Sequence, residues 1–308
     1  MSLHQNREVD MPTPRDRFRG CLLGLACGDA VGTRVEFLPR GAFAPITDMK
    51  GGGPFGLPPG YWTDDTSMAL CLAASLIEKG RHDAHDQISR YVRWWQEGYL
   101  SSTGRCFDIG NTTRAALSRF LESGDPIAGP TDPYSAGNGS IMRLAPVAMF
   151  WANDVDTAEK MAAESSRTTH GSTESVDGCR LLARILVAAL GGASKEECLA
   201  AGSGRDYSEK IASISGGAWR GKSEDEIRGT GYVVESLEAA VWSFHHSDTF
   251  ESAILRATNL GDDADTTAAV CGQIAGAFWG VEAIPGSWRE KIVMREEIEG
   301  MADALGPR

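Results

Sequence analysis

Two short acidic stretches carry the side chains best suited to chemistry. Trp62-Thr63-Asp64-Asp65-Thr66-Ser67 stands directly before the apolar run Met68 to Ile77. Gly261-Asp262-Asp263-Ala264-Asp265-Thr266-Thr267 stands directly before Ala268 to Trp279. Each places carboxylates and hydroxyls at an expected helix N-terminus, where they could serve as caps or complement the helix dipole. One cap needs one side chain, however, and each knot brings two or three carboxylates. Like charges held that closely repel unless a cation shares the site. Oxygen donors with no His or Cys among them suit Mg²⁺, Mn²⁺ or Ca²⁺ rather than zinc. Adjacent at a helix start, Asp64 and Asp65 splay apart and could serve two ions, on which Asp263 and Asp265 could converge. That reading requires the two knots to meet in space, which spacing alone leaves open.

The elements that position these residues read as helices. From Val176, apolar residues recur at Cys179, Leu181, Leu182, Ile185, Leu186 and Ala189, one face of a 3.6-residue period. Similar segments start near Phe18, Asp65, Asp83, Asn111, Thr157, Val234, Phe250 and Asp265. Strand alternation of useful length and hairpin signals are missing. Breakers mark the connections: Gly51-Gly52-Gly53-Pro54, Pro58-Pro59-Gly60, Asp125 to Pro133 and Ser203-Gly204. The expectation is an all-α fold: one compact multi-helix domain over residues 16–308, preceded by a disordered arm over 1–15. The dinuclear metal site would lie between helix N-termini.

Composition narrows the function classes. The 308 residues include 42 acidic and 30 basic side chains, a formal net charge of −12. Such a chain is not built to coat nucleic acid or an anionic membrane. Hydrophobic residues make up 42% and charged residues 23%, an ordinary globular balance. The seven cysteines lack a Cys-x-x-Cys pair, and most lie in apolar stretches, as small core hydrophobes do. The polar first 17 residues have no signal-peptide centre, and the apolar run Leu181 to Ala193 is broken by Arg184. A cytoplasmic protein is expected.

Seven segments, in order, resemble the ADP-ribosylglycohydrolase family, most closely its dinitrogenase reductase-activating glycohydrolase branch. They are Gly28-Asp29-Ala30-Val31-Gly32 with Glu36; Thr63 to Thr66; Phe107-Asp108-Ile109-Gly110-Asn111-Thr112; Gly137-Asn138-Gly139-Ser140-Ile141-Met142-Arg143; Thr169-His170; Gly231-Tyr232-Val233; and Gly261 to Thr266. The resemblance runs from Phe18 to about Trp288. It implies an all-α hydrolase that uses two divalent cations, Mg²⁺ or Mn²⁺, to cleave the bond joining ADP-ribose to a modified side chain or related acceptor. By position it implies Thr63, Asp64, Asp65, Asp263, Asp265 and Thr266 as metal ligands.

The remaining motifs each carry a plain reading beside the functional one. Gly24, Gly28 and Gly32 fall four apart and read as a helix face kept small for close packing. Glu36 follows that helix, and the family places a carboxylate there to handle the attacking water or hold the substrate. Asp108 could cap the helix from Asn111; the resemblance instead makes it a general acid/base, its pKa raised by partial burial. Gly137-Asn138-Gly139-Ser140 is either a turn with a Ser cap or a helix start whose N–H groups hold a diphosphate or ribose. Met142 and Arg143 could be packing and salt-bridge residues, Met142 also touching substrate. His170 is either a satisfied buried or surface histidine or, as the resemblance implies, a contact to the phosphate or ribose of ADP-ribose. Tyr232 is either core or a stacking face for adenine, and His245-His246 reads as surface.

The reading is therefore metal-assisted hydrolysis at ribose C1, with Glu36 or Asp108 managing the proton. Arginine is the first-choice acceptor and serine the second; a small ADP-ribose derivative is the alternative substrate. Two rivals remain: a hydrolase of a nucleotide-sugar diphosphate, and a non-catalytic relative of the kind found among lens crystallins. No nucleic acid or membrane partner is expected, and the protein is expected to act as a monomer.

Overall fold

The computed structural model describes residues 11–306. Fourteen α-helices are present among them. The first half of the chain forms α1 (Pro14–Gly32), α2 (Asp64–Lys79), α3 (Ala84–Glu97), α4 (Asn111–Ser123), α5 (Ala145–Phe150) and α6 (Val155–Arg167). The second forms α7 (Thr173–Leu190), α8 (Lys195–Ala200), α9 (Glu209–Ser215), α10 (Val233–His245), α11 (Phe250–Thr258), α12 (Ala264–Trp279), α13 (Gly286–Arg289) and α14 (Arg295–Leu305). The only β-type pairing among the described residues is three isolated bridges. No described helix is long and apolar enough to cross a membrane.

The all-α expectation holds, and the expected helix starts lie within a few residues of the observed ones. Most of the expected arm lies outside the described residues, but its end does not: α1 begins at Pro14, closed by a capping box between Thr13 and Asp16. Six of the seven free cysteines are buried, as apolar placement implied.

The core is organised around α1 and α12, the most extensive helix pair. Their backbones touch. A Cβ on Gly24 would stand 2.4 Å from the Gly272 carbonyl oxygen, and one on Gly28 only 2.1 Å from that of Ala268. The stripe begins one step earlier than the sequence reading had it, at Gly20, which meets Gly276. At its other end Gly32 abuts Asp265, so the stripe delivers the end of α1 to the start of α12. Arg17, itself buried, donates to the carbonyls of Ala277 and Phe278 at the end of α12 and of Ala189 at the end of α7. A cation there complements the negative end of both helices.

Gly28→Ala should destabilise the protein by roughly 2–4 kcal/mol, because only helix separation can relieve a backbone clash. Gly300→Ala, in α14 with open space around it, should instead stabilise by about 0.5–1 kcal/mol. Denaturant unfolding of the two variants checks both signs; equal effects would refute the close-contact account.

Candidate active site

The first knot opens α2, but not as a cap. Thr63 occupies the N-cap position and makes no side-chain capping bond. Its backbone N–H donates instead to Asp29, at 2.9 and 3.1 Å to the two carboxylate oxygens. Thr63 Oγ1, Thr66 N and Thr66 Oγ1 also bond Asp29, at 3.0, 3.1 and 2.6 Å. Asp29, on the last turn of α1, thus satisfies the start of α2 and leaves Asp64 and Asp65 available. Sequence reasoning missed this role. Its signal was an aspartate within the small and apolar run Leu22 to Val31, where a carboxylate needs donors.

The second knot opens α12 in the same manner. Asp263 is the N-cap residue without a capping bond. Its N–H donates to the Gly229 carbonyl, and its Oδ2 accepts from Asn138 Nδ2 at 2.8 Å. The preceding turn is clipped to the segment after α1: Phe37 N donates to Asp262 O at 2.7 Å, and Asp262 N to Leu38 O at 2.8 Å. A Cβ on Gly261, at φ +74°, would stand 2.7 Å from that same Leu38 oxygen. The clip fixes Glu36 beside the knot.

The two knots meet. Thr63 Oγ1 lies 3.1 Å from Asp65 Oδ2 and 3.4 Å from Asp265 Oδ2, besides its contact with Asp29. A hydroxyl has one proton to donate, so three carboxylate neighbours exceed what hydrogen bonding can satisfy. Two carboxylate triads form around Asp265, one with Asp29 and Asp65 and the other with Glu36 and Asp108. In each, one oxygen per residue lies within 4.8 Å of the others. Glu36 Oε2 and Asp65 Oδ1 are buried without a partner. Asp108 is no cap either, since Gly110 holds that position on α4.

Electrostatics agree with geometry. Burial, then the charges of Asp108 and Asp263, push Glu36 up to about 10. Burial, then Asp29 and Asp263, push Asp108 up to about 8. Burial raises Asp29 to about 6 against the pull of its four donors. Asp64, Asp65 and Asp265 are held well above the carboxylate range, by burial first and neighbouring carboxylates next. No lysine or arginine lines the cavity above the cluster. Oxygen donors, orphaned oxygens and an absence of protein cations fit a hard divalent ion.

That cavity, of about 390 Å³, is lined by Glu36, Asp64, Asp108, Asp263, Asp265 and Thr266 at one end. Gly137, Asn138, Gly139, Met142 and His170 line the rest. A larger one, of about 650 Å³, shares Thr112, Gly137 and Gly231 with it and adds Tyr134 and Tyr232. The bridge between Gly137 and Tyr232 ties the two walls together. Tyr232 is half-buried and packs in part against the core while lining the second cavity; its hydroxyl donates to Glu174 Oε2 at 2.5 Å and accepts from Lys210 Nζ at 2.7 Å, and that Nζ lies 5.0 Å from the ring centroid.

Several expectations need correction. Residues 139–143 form a turn, and α5 starts only at Ala145, so Gly137 to Ser140 is a loop wall and not a helix N-terminus. Ser140 does not line the cavity; its hydroxyl accepts from Ser166 in the interior. Arg143 meets neutral groups among the described residues, Met68 Sδ, Thr168 Oγ1, Thr169 Oγ1 and the Tyr91 ring, where a salt bridge was expected. Of the pair read as surface, His246 is exposed, whereas His245 is half-buried, edge-on to buried Trp219 with Glu196 3.8 Å away; His245 lines neither cavity.

The chain is similar over nearly its whole length to known proteins. The family model described as ADP-ribosylglycohydrolase matches residues 10–308. The chain is 48% identical over 293 residues to ADP-ribosylarginine hydrolase Tri1 of Pseudomonas putida (strain GB-1), covering 95% of this chain and 78% of that one. It is 33% identical over 303 residues to the ADP-ribosyl-[dinitrogen reductase] glycohydrolase of Rhodospirillum rubrum, covering 96% and 97%. A solved structure titled "ADP-ribosylglycohydrolase-related protein complex" superposes with a TM-score of 0.85 at 44% identity, covering 95% and 97%.

The clustered acids make a prediction for the cation-free protein. Burial and mutual repulsion hold Glu36, Asp64, Asp65, Asp108 and Asp265 above the unfolded value of about 4, so above neutrality the native state holds protons that the unfolded chain has lost. Stability then falls as pH rises. Thermal unfolding in EDTA should show Tm decreasing from pH 7 to pH 9, above the histidine range, with a shallower slope in Glu36→Gln. A flat or rising Tm would contradict the cluster.

Proposed function

The chain belongs to the ADP-ribosylglycohydrolase family, and from that premise we propose that it releases ADP-ribose from a modified arginine side chain by hydrolysing the glycosidic bond at ribose C1. The observation that carries this reading is the carboxylate cluster at one end of a cavity of about 390 Å³ that shares Thr112, Gly137 and Gly231 with a neighbour of about 650 Å³. The arginine preference rests on similarity to two proteins named ADP-ribosylarginine hydrolase, at 48% and 46% identity.

Thr63, Asp64, Asp65, Asp263, Asp265 and Thr266 would hold two divalent cations, Mg²⁺ or Mn²⁺. When bound, such ions orient sugar hydroxyls and acidify water. Asp29 keeps the α2 start in place beneath them through its bonds to Thr63 and Thr66. Asp108 sits nearer the mouth than Glu36, which is 4% exposed. Asp108 therefore suits proton delivery to the departing guanidine nitrogen, and Glu36 suits orientation of the attacking water. The Gly137 to Gly139 wall and His170 would hold the diphosphate. The second cavity, with Tyr134 and Tyr232, would take the adenosine, its aromatic faces giving base affinity. The free cysteines and the expected cytoplasmic location are compatible with this role.

Incubation with arginine- and serine-linked ADP-ribosyl peptides, with and without Mg²⁺ or Mn²⁺, tests the reading. Arginine-linked peptide should release ADP-ribose with metal and not in EDTA. Release of AMP, or release that survives chelation, would overturn it. Asp65→Ala should lower the rate by about a hundredfold or more. It should leave cation-free Tm unchanged or higher, because it removes one of several mutually repelling carboxylates.

A further inference from the structure

Arg143 is fully buried, yet no carboxylate stands beside it. Its guanidinium lies 4.4 Å from the ring centroid of Tyr91, Nη1 is 3.7 Å from Met68 Sδ, and Nε has no partner. A cation buried without a carboxylate is costly, which puts weight on the few bonds it does make. Its one short hydrogen bond is from Nη2 to Thr169 Oγ1, at 2.6 Å. Thr169 Oγ1 in turn lies 2.8 Å from His170 Nδ1. Threonine and histidine are both buried, and the ring borders the cavity.

This chain has a direction. A guanidinium only donates, so the Thr169 oxygen accepts from it and its single hydroxyl proton must find another acceptor. Among the described residues the other partner of Thr169 Oγ1 is His170 Nδ1. A proton on Nδ1 would leave the buried hydroxyl without an acceptor. It would also turn the positive end of the imidazole dipole toward Arg143. Both costs vanish when Nδ1 accepts. The ring holds a single proton, because burial and then the Arg143 charge lower its pKa to about 3. That proton must reside on Nε2.

We propose that Arg143 and Thr169 are positioning residues that lock His170 in its Nε2–H form, so that a neutral donor faces a phosphate oxygen of the ligand. This rests on the functional reading above for the ligand's identity. Nε2 has no hydrogen-bond partner among the described residues and borders the Gly137–Gly139 wall. A Cβ on Gly139 would stand 3.0 Å from Nε2 and 2.7 Å from Cε1, and one on Gly137 3.2 Å from Nε2. The two glycines keep the approach to that donor open. A neutral donor also holds an anion without becoming a counter-charge to the carboxylates, so it leaves their cation affinity intact.

Nitrogen-15 spectra of the Mg²⁺-loaded protein, labelled at histidine, should show protonated Nε2 and unprotonated Nδ1 for His170, with or without ADP-ribose. Thr169→Val should give mixed tautomers and weaken ADP-ribose binding by about tenfold, with adenosine binding unchanged. Thr169→Ser should restore both. His170→Gln, which keeps a donor near Nε2, should bind ADP-ribose within about threefold of wild type, whereas His170→Leu should lose about tenfold. A wild-type Nδ1–H tautomer would overturn the proposal. So would weakened ADP-ribose binding in Thr169→Val without a tautomer change. Should Thr169→Val fail to fold, the wild-type tautomer and the His170 pair still decide. If wild-type protein binds no ADP-ribose, the functional reading fails, while the tautomer measured without ligand still tests the lock.

Discussion

The backbone contact between α1 and α12 is the constraint on which the site depends. Four glycines of α1 admit the carbonyls and backbone of α12 at distances no side chain would allow. Because the contact runs along both helices, it fixes their register as well as their separation. One helical turn of slip would move a residue by about 5.4 Å, more than the whole span of either carboxylate triad. In the observed register Asp265 lies against Gly32, and Asp29 stands one turn away, facing the start of α2. Three helix ends are thereby brought together by one apolar seam.

What is brought together is energetically unfavourable on its own. Buried carboxylates with no protein cation among them raise one another's pKa and leave oxygens unpaired. Three residues at the site also hold positive φ without being glycine: Phe37 at 65°, Asp108 at 59° and Asp262 at 58°. Strain of this kind persists only where the surroundings over-determine it. At Phe37 and Asp262 the reciprocal bonds between Phe37, Leu38 and Asp262 do so, backed by the glycine contact at 261. The fold's stability comes from the helix seam and core, and part of it is used to hold a repulsive cluster in place.

How much of this could be read from the chain follows from the range of each interaction. The all-α class was legible because the 3.6-residue period is local. The glycine spacing showed a face kept small, since four-residue spacing has one structural meaning on a helix. Two carboxylate knots at helix starts suggested a cation site. Capping remained a rival until the caps proved unmade at Thr63 and Asp263. Asp29 escaped because its four donors come from another helix, and nothing near it in sequence announces them. Arg143 escaped for a similar reason: a buried arginine without a carboxylate is unlike the salt bridge its type suggests. Ser140 was misplaced because a turn, not a helix, follows Gly139, which redirects its side chain inward.

The acidic surplus of the chain, −12 overall, bears on how an anionic ligand enters. Long-range charge works against ADP-ribose; the cavity beside the carboxylates has no lysine or arginine in its lining, and Lys210, in the neighbouring cavity, is paired with Glu174. Attraction must then be local and conditional. The conditional part is the cation the carboxylates are arranged to hold, without which the site repels its ligand as well as itself. The unconditional part is a neutral donor such as His170 Nε2–H and the positive potential of Arg143, buried one residue chain behind it. Placing that cation in the interior rather than in the cavity keeps it from pairing with the carboxylates. The ligand's phosphates then meet an oriented dipole backed by a charge, while the acidic end of the cavity stays free for metal.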